Sequence, residues 1–119
     1  MAGENSNLGR CLAMPGTEMI ARLWHGRTAA SRADDYFEYL KRTGLDEYSR
    51  TEGNRGVYVL RRIEGGHADF LLVSLWDSIE AIRRFAGPDI EKAVYYPEDR
   101  DFLTELEPNV SNYEILAAP

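Results

Sequence analysis

A chain of 119 residues, 44% of them apolar, makes one domain that buries a core of ordinary size without covalent staples. Twenty Asp and Glu against 14 Lys and Arg give a net charge of −6, which argues against a nucleic-acid backbone or an anionic membrane surface as partner. The lone Cys11 can close no internal disulfide, and no apolar run reaches the roughly 18 residues of a membrane span or resembles a signal segment, so a cytoplasmic protein is expected.

Residues 1–17, "MAGENSNLGRCLAMPGT", have neither helical nor alternating periodicity, and they are expected to form an arm outside a single domain of residues 18–119. "EMIARLWHGR" alternates and reads as a strand over residues 18–27. In "SRADDYFEYLKRTG", Ala33, Tyr36, Phe37 and Leu40 stand at helical spacing behind Ser31 as N-cap, with Gly44 placed to end the helix. The turn-rich "DEYSRTEGNRG" leads to "VYVLRRIE" and "ADFLLVSLW", two strands joined by "GGH" as a hairpin. Either Asp77 or Ser78 caps the next helix, whose buried stripe is Ile79, Ile82, Phe85 and Ala86 and whose end is Gly87. Pro88 opens a further helical pattern in "PDIEKAVYY", "EDRDFLTELEP" gives one more turn, and "NVSNYEIL" closes the chain as a strand.

The order strand, helix, strand, strand, helix, strand is the ferredoxin-like α+β pattern, an antiparallel sheet with helices on one face. Phe70, Leu71, Leu72, Val73 and Leu75 make the third strand apolar on both sides. Because the helices suffice for one face only, a second copy is expected to cover the other, giving a homodimer. By strand parity Phe70, Leu72, Ser74 and Trp76 share one face and Leu71, Val73 and Leu75 the other, and the branched set is expected against the helices.

This layout, the block "LWDSIEAIRRF" and the closing "VSNYEIL" resemble the antibiotic biosynthesis monooxygenase family of dimeric α/β barrels over about residues 18–116. The resemblance implies two ferredoxin-like sheets facing each other and a pocket in each subunit between sheet and helices. Its members include cofactor-independent quinol monooxygenases, haem-degrading enzymes and proteins without known activity. It also implies that Trp76 stands beside the ligand; the alternative is a wedge in the core or the subunit interface. The haem-degrading members need an Asn on the first strand and a His after the second helix. This chain has Trp24 or His25 at the first place and "AVYYPED" at the second, so haem degradation becomes the minor reading and no cofactor is expected.

A cofactor-free oxygenase must ionise an electron-rich phenol in an apolar pocket so that the anion can reduce O₂. His25 is the candidate base and Arg22 the candidate anion holder, while Trp24, Tyr58, Trp76, Tyr95 and Tyr96 are candidate substrate-binding residues. The bland reading of His25 is a half-exposed strand-end residue. "YYPED" reads as a pocket lid or as packing on a helix edge, and the acidic run "EDRD" as a solvated face. The two histidines lie on separate elements and Cys11 in the arm, so no clustered metal-ligand spacing is present, and nucleotide and serine-hydrolase motifs are absent.

Two classes follow: a cofactor-independent monooxygenase of an aromatic or quinol-like molecule, and a non-catalytic, small-molecule-binding or stress-associated dimer. An enclosed pocket of a few hundred cubic ångströms with Arg22 or His25 turned inward favours the first. A pocket filled by Trp24, Trp76 and the tyrosines favours the second.

Overall fold

The computed structural model describes residues 19–119; the expected N-terminal arm lies outside them. Strand β1 (Ile20–Ala29) leads through a 3₁₀ turn to helices α1 (Ala33–Arg42) and α2 (Gly44–Arg50). The hairpin of β2 (Asn54–Glu64) and β3 (His67–Trp76) is followed by helix α3 (Ile79–Ala86), the single turn α4 (Asp99–Phe102) and strand β4 (Ser111–Glu114). The sheet is antiparallel in the order β2-β3-β1-β4, the ferredoxin-like arrangement expected of this element order.

The long central pair sets the register. β1 and β3 run side by side from Ile20 opposite Trp76 to Ala29 opposite His67, so their side chains alternate in step across ten residue pairs. Glu64 pairs with His67 across Gly65 and Gly66, and Gly65 takes φ +61°, the region that a two-residue hairpin of this hand requires. β4 pairs only with the start of β1, placing Asn112 directly opposite Arg22.

Several local expectations change. Ser31 does not cap α1; a 3₁₀ turn over Ala30–Arg32 precedes it, and Asp34 and Asp35 in its first turn meet the positive end of the helix dipole instead. Gly44 begins α2, and the stretch read as turns buries Tyr48. Ser78 is the cap of α3, its Oγ accepting the Ala81 N–H at 3.1 Å, a contact worth about 1 kcal/mol. On α3, Ala81, Ile82 and Phe85 are buried while Ile79 is 40% exposed. Residues 88–96 form no helix. Asp89 Oδ1 takes the Glu91 N–H at 3.1 Å, and the chain pairs with the stretch before β4 through Ala93 N–H to Pro108 O and Val110 N–H to Glu91 O. A local side-chain acceptor and the β-branched and aromatic run Val94–Tyr96 outweigh the helical spacing.

The larger correction concerns the faces. The helices cover Ile20, Arg22, Trp24 and Thr28 of β1 and Ala68, Phe70, Leu72, Ser74 and Trp76 of β3, all of them buried. Leu71, Val73 and Leu75 are only half-buried, on the uncovered side. The parity was read correctly and the side wrongly, because the gap under the helices takes the large rings. Trp76 packs on Tyr48 and Phe85 with ring centroids 6.0 and 5.7 Å apart, and Tyr36 lies edge-on to Phe70 at 5.3 Å.

Candidate functional site

Arg22 stands in the middle of the covered face with 1% of its surface exposed. Its Nη2 donates to Lys92 O at 2.7 Å, and the guanidinium carbon lies 5.6 Å from the centre of the Phe85 ring. No carboxylate among the described residues pairs with it. Burial lowers its pKa, which the neighbouring Tyr48 hydroxyl opposes, and the group remains a cation. A buried, unpaired guanidinium is expensive, so it is a place where something anionic is welcome.

Among the described residues, four buried side-chain polar atoms have no hydrogen-bond partner: Nε and Nη1 of Arg22, Nε1 of Trp24 and Oδ1 of Asn112. All four belong to the helix-covered side of β1 and to the residue of β4 that faces Arg22. Native interiors leave few such atoms, and their gathering in one place marks it off from the rest of the core. Their neighbours are satisfied: Trp76 Nε1 donates to Ser74 Oγ at 2.9 Å, Ser74 Oγ donates to Arg22 O at 3.3 Å, and Asn112 Nδ2 donates to Ile90 O at 3.2 Å.

Beside this group, between the sheet and the helices, is a cavity of about 20 Å³ lined by Trp24, Tyr36, Tyr48, Phe85, Tyr96 and Asp99, among others. It has room for about one water molecule. Asp99, 3% exposed, is the one acidic side chain on its wall, and it accepts the Tyr36 hydroxyl at 2.9 Å and the Tyr96 N–H at 2.6 Å. Burial raises its pKa, and these two donors restrain the rise. Burial also raises Tyr36 and Tyr96 on this wall, and takes Tyr95, outside it, to about 12, so these three phenols stay neutral near pH 7. Trp24 meets Tyr95 edge-on at 6.1 Å, and Tyr96 donates to Glu47 of α2. Gly26 makes Trp24's position available: a Cβ there would lie 2.4 Å from the indole.

The candidate residues therefore fall into two groups. Arg22, Trp24, Trp76, Tyr95 and Tyr96 come together on the helix side, although Trp76, at 0% exposure, is sealed behind Tyr48 and Phe85 and not on an open wall. His25 and Tyr58 lie on the uncovered side, Tyr58 at 62% exposure. His25 cannot share a site with Arg22, since three residues along a strand reverse the face. Its Nδ1 contacts Glu107 Oε2 at 2.6 Å and its Nε2 contacts Asp69 Oδ1 at 3.0 Å, while Arg27 Nε donates to the same Asp69 oxygen at 2.9 Å. Burial works against a charged ring here, but the bonds to Glu107 and Asp69 prevail and raise its pKa. Both ring nitrogens are engaged, so His25 holds the end of the sheet to residues 103–107 and offers no free base.

The sequence reading missed Asp99, Tyr36, Tyr48 and Asn112. Asp99 lies inside "EDRD", where nothing distinguishes a buried carboxylate from its solvated neighbours. Tyr36 stood in the apolar stripe of α1 with its hydroxyl unassigned, and Asn112 acquires meaning only from the β1–β4 register. A wider concavity of about 400 Å³ lies on the uncovered side, lined by His25, Arg27, Leu60, Arg62, Asp69 and Leu71 among others, where His25, Arg27 and Asp69 already satisfy one another. Among the described residues no cluster of His, Cys, Asp and Glu is arranged to hold a metal, and no helix is long and apolar enough to cross a membrane.

The fold defines an α+β domain of the ferredoxin-like class. No protein-family model and no curated protein sequence matches the chain. Among solved structures it is similar to the "putative antibiotic biosynthesis monooxygenase" of Bacillus cereus, with a TM-score of 0.58 and 16% identity over 87% of this chain and 98% of that one. A protein of the same description from Nitrosomonas europaea matches with a TM-score of 0.58 and 15% identity over 88% of this chain and 96% of that one. At this level of identity the resemblance read from "LWDSIEAIRRF" and "VSNYEIL" is borne out as a shared fold spanning nearly the whole described chain.

Proposed function

We propose that the protein is a cytoplasmic, homodimeric monooxygenase-type enzyme that oxidises an electron-rich phenol or hydroquinone with molecular oxygen and without a cofactor, in the chamber beneath the helices. The observation that carries this reading is the buried Arg22, with Nε and Nη1 unpartnered, against an aromatic wall. Asp99 takes the phenolic proton, and its raised pKa brings it closer to that task. Arg22 holds the resulting oxyanion and favours ionisation, which lowers the cost of passing an electron to O₂. Trp24 and Tyr48 stack on the ring, with Trp76 behind Tyr48. One phenol with a free para C–H and one O₂ give one quinone and one water, and a hydroquinone with a free ring C–H and one O₂ give one hydroxyquinone and one water: in each case one oxygen atom enters the ring, and the other leaves with two hydrogens.

A substrate ring needs several times the present 20 Å³. Residues 87–98, which carry Tyr95 and Tyr96 and have no helix or strand of their own, are the part of the cover that would have to move to make that room. The uncovered face, with Tyr58 at 62%, Leu60 at 47% and Tyr113 at 58% exposure, is the surface that a second copy covers.

The size of the chamber, about 20 Å³ and filled by Trp24 and the tyrosines instead of open by a few hundred cubic ångströms, favours the other reading, a dimer that binds such molecules without turning them over. It is the unpartnered Arg22 that supports turnover. Oxygen uptake separates the two: the enzyme consumes one O₂ per quinone formed from a panel of phenols and hydroquinones, and Asp99→Asn lowers the rate by about 10²–10⁴-fold. Tryptophan fluorescence that responds to the panel while oxygen stays at the buffer rate would establish the non-catalytic reading.

A further inference from the structure

We infer that the ligand of this chamber carries an anionic oxygen and a hydroxyl on adjacent atoms, as in an ortho-dihydroxyaromatic monoanion. The inference rests on the chamber being the ligand site and goes beyond it by specifying the ligand's hydrogen-bonding pattern. The unpartnered atoms are not all of one kind. Arg22 and Trp24 offer donors, whereas Asn112 Oδ1 offers an acceptor, its amide being fixed by the bond from Nδ2 to Ile90 O. A simple oxyanion would satisfy Arg22 and leave Asn112 Oδ1 buried and bare. A ligand with a single O–H beside the oxyanion satisfies both.

The spacing favours adjacent groups. Arg22 and Asn112 are directly opposed residues of neighbouring antiparallel strands, and such pairs hold their Cβ atoms about 5 Å apart on one face. A donor and an acceptor supplied by one such pair are met most directly by two oxygens on neighbouring carbons, which leaves the rest of the ring free to turn toward the aromatic side chains. The planar remainder of the ligand would extend from the pair toward Trp24, Tyr48 and Phe85. The positive charge also selects the ionised form, so the bound species has lost one proton and kept the other for Asn112.

Binding of three coloured probes under anaerobic conditions tests this without requiring turnover. 4-Nitrocatechol, which forms a monoanion near neutral pH, presents both groups; 2-methoxy-4-nitrophenol blocks the second hydroxyl; 4-nitrophenol lacks it. Followed by probe absorbance and tryptophan quenching, 4-nitrocatechol is expected to bind the wild type at least about tenfold more tightly than either control. Asn112→Leu should bring the three to a common affinity, while Arg22→Met should weaken all of them. Equal affinities in the wild type, or a catechol preference that survives Asn112→Leu, would overturn the inference. The wild-type comparison stands whether or not a variant folds. Failure of all three probes to bind, alongside oxygen uptake with a para-hydroquinone, would overturn the adjacent-group pattern and leave the proposed activity standing. Failure of both would remove the chamber reading as well.

Discussion

The two faces of the sheet are built from the same strands and handle polar groups in opposite ways. On the uncovered face the charges are paired: His25 bridges Asp69 and Glu107, and Arg27 shares Asp69. The same face carries half-exposed Leu71 and Val73 and exposed Leu60 and Tyr113, an apolar surface without unmet polar demand among the described residues. On the covered face, where water is excluded and every unmet bond is costly, Arg22, Trp24 and Asn112 have donors and an acceptor without a partner among the described residues. A surface that is apolar and internally neutralised suits association with its own copy. An interior with uncompensated polar atoms sacrifices stability, which is the cost that the proposed ligand would offset.

The contrast can be broken at several points. Trp76→Ala, at 0% exposure against Tyr48 and Phe85, is expected to lower the unfolding free energy by about 3–5 kcal/mol in urea titrations, because the cavity it leaves lies within the ring cluster. Leu71→Asp, on the other face, is expected to change the stability of the monomer far less. It should raise the dimer dissociation constant by about 100-fold or more in light scattering, since a charge would be buried unpaired between copies. A monodisperse 13.5 kDa wild type at micromolar concentration would show that the uncovered face has another purpose.

The smallest effect is electrostatic. The folded pKa of His25 is raised, so its protonated bridge to Glu107 and Asp69 contributes fully below the unfolded value of about 6.5 and is lost as pH rises through the folded value. The stability of the wild type relative to His25→Gln should therefore decline as pH is raised above about 6.5, and denaturant midpoints at several pH values would show it. A difference independent of pH would mean that the ring contributes only packing.

Most of the fold was legible because the alternation of β1 and β3, the Gly65–Gly66 turn and the Ser78 cap are local signals that tertiary packing reinforced. Residues 88–96 were not, because helical spacing competed with the Asp89 turn and with pairing to residues 108–110, which lie far along the chain. Strand parity separated Trp76 from Leu71 and Val73 correctly but carried no information about which side the helices cover. That side was decided by ring volume. The same parity already separated Arg22 from His25, which is why the two do not meet. Asp99 and Asn112 were beyond reach: one is buried by the turn of α4, and the other has its role only through a register set across the sheet.

Arg22 is proposed to carry the ligand chemistry and His25 only a structural role, and oxygen uptake with a hydroquinone on two variants tests that division most directly. Arg22→Met, which replaces a buried unpaired charge with an apolar chain, should fold with stability equal to the wild type or higher by about 1–4 kcal/mol. It should nevertheless lose at least about 100-fold in kcat/KM, while His25→Gln retains the wild-type value. Full activity in Arg22→Met, or its loss in His25→Gln at a pH where that variant is folded, would contradict the account.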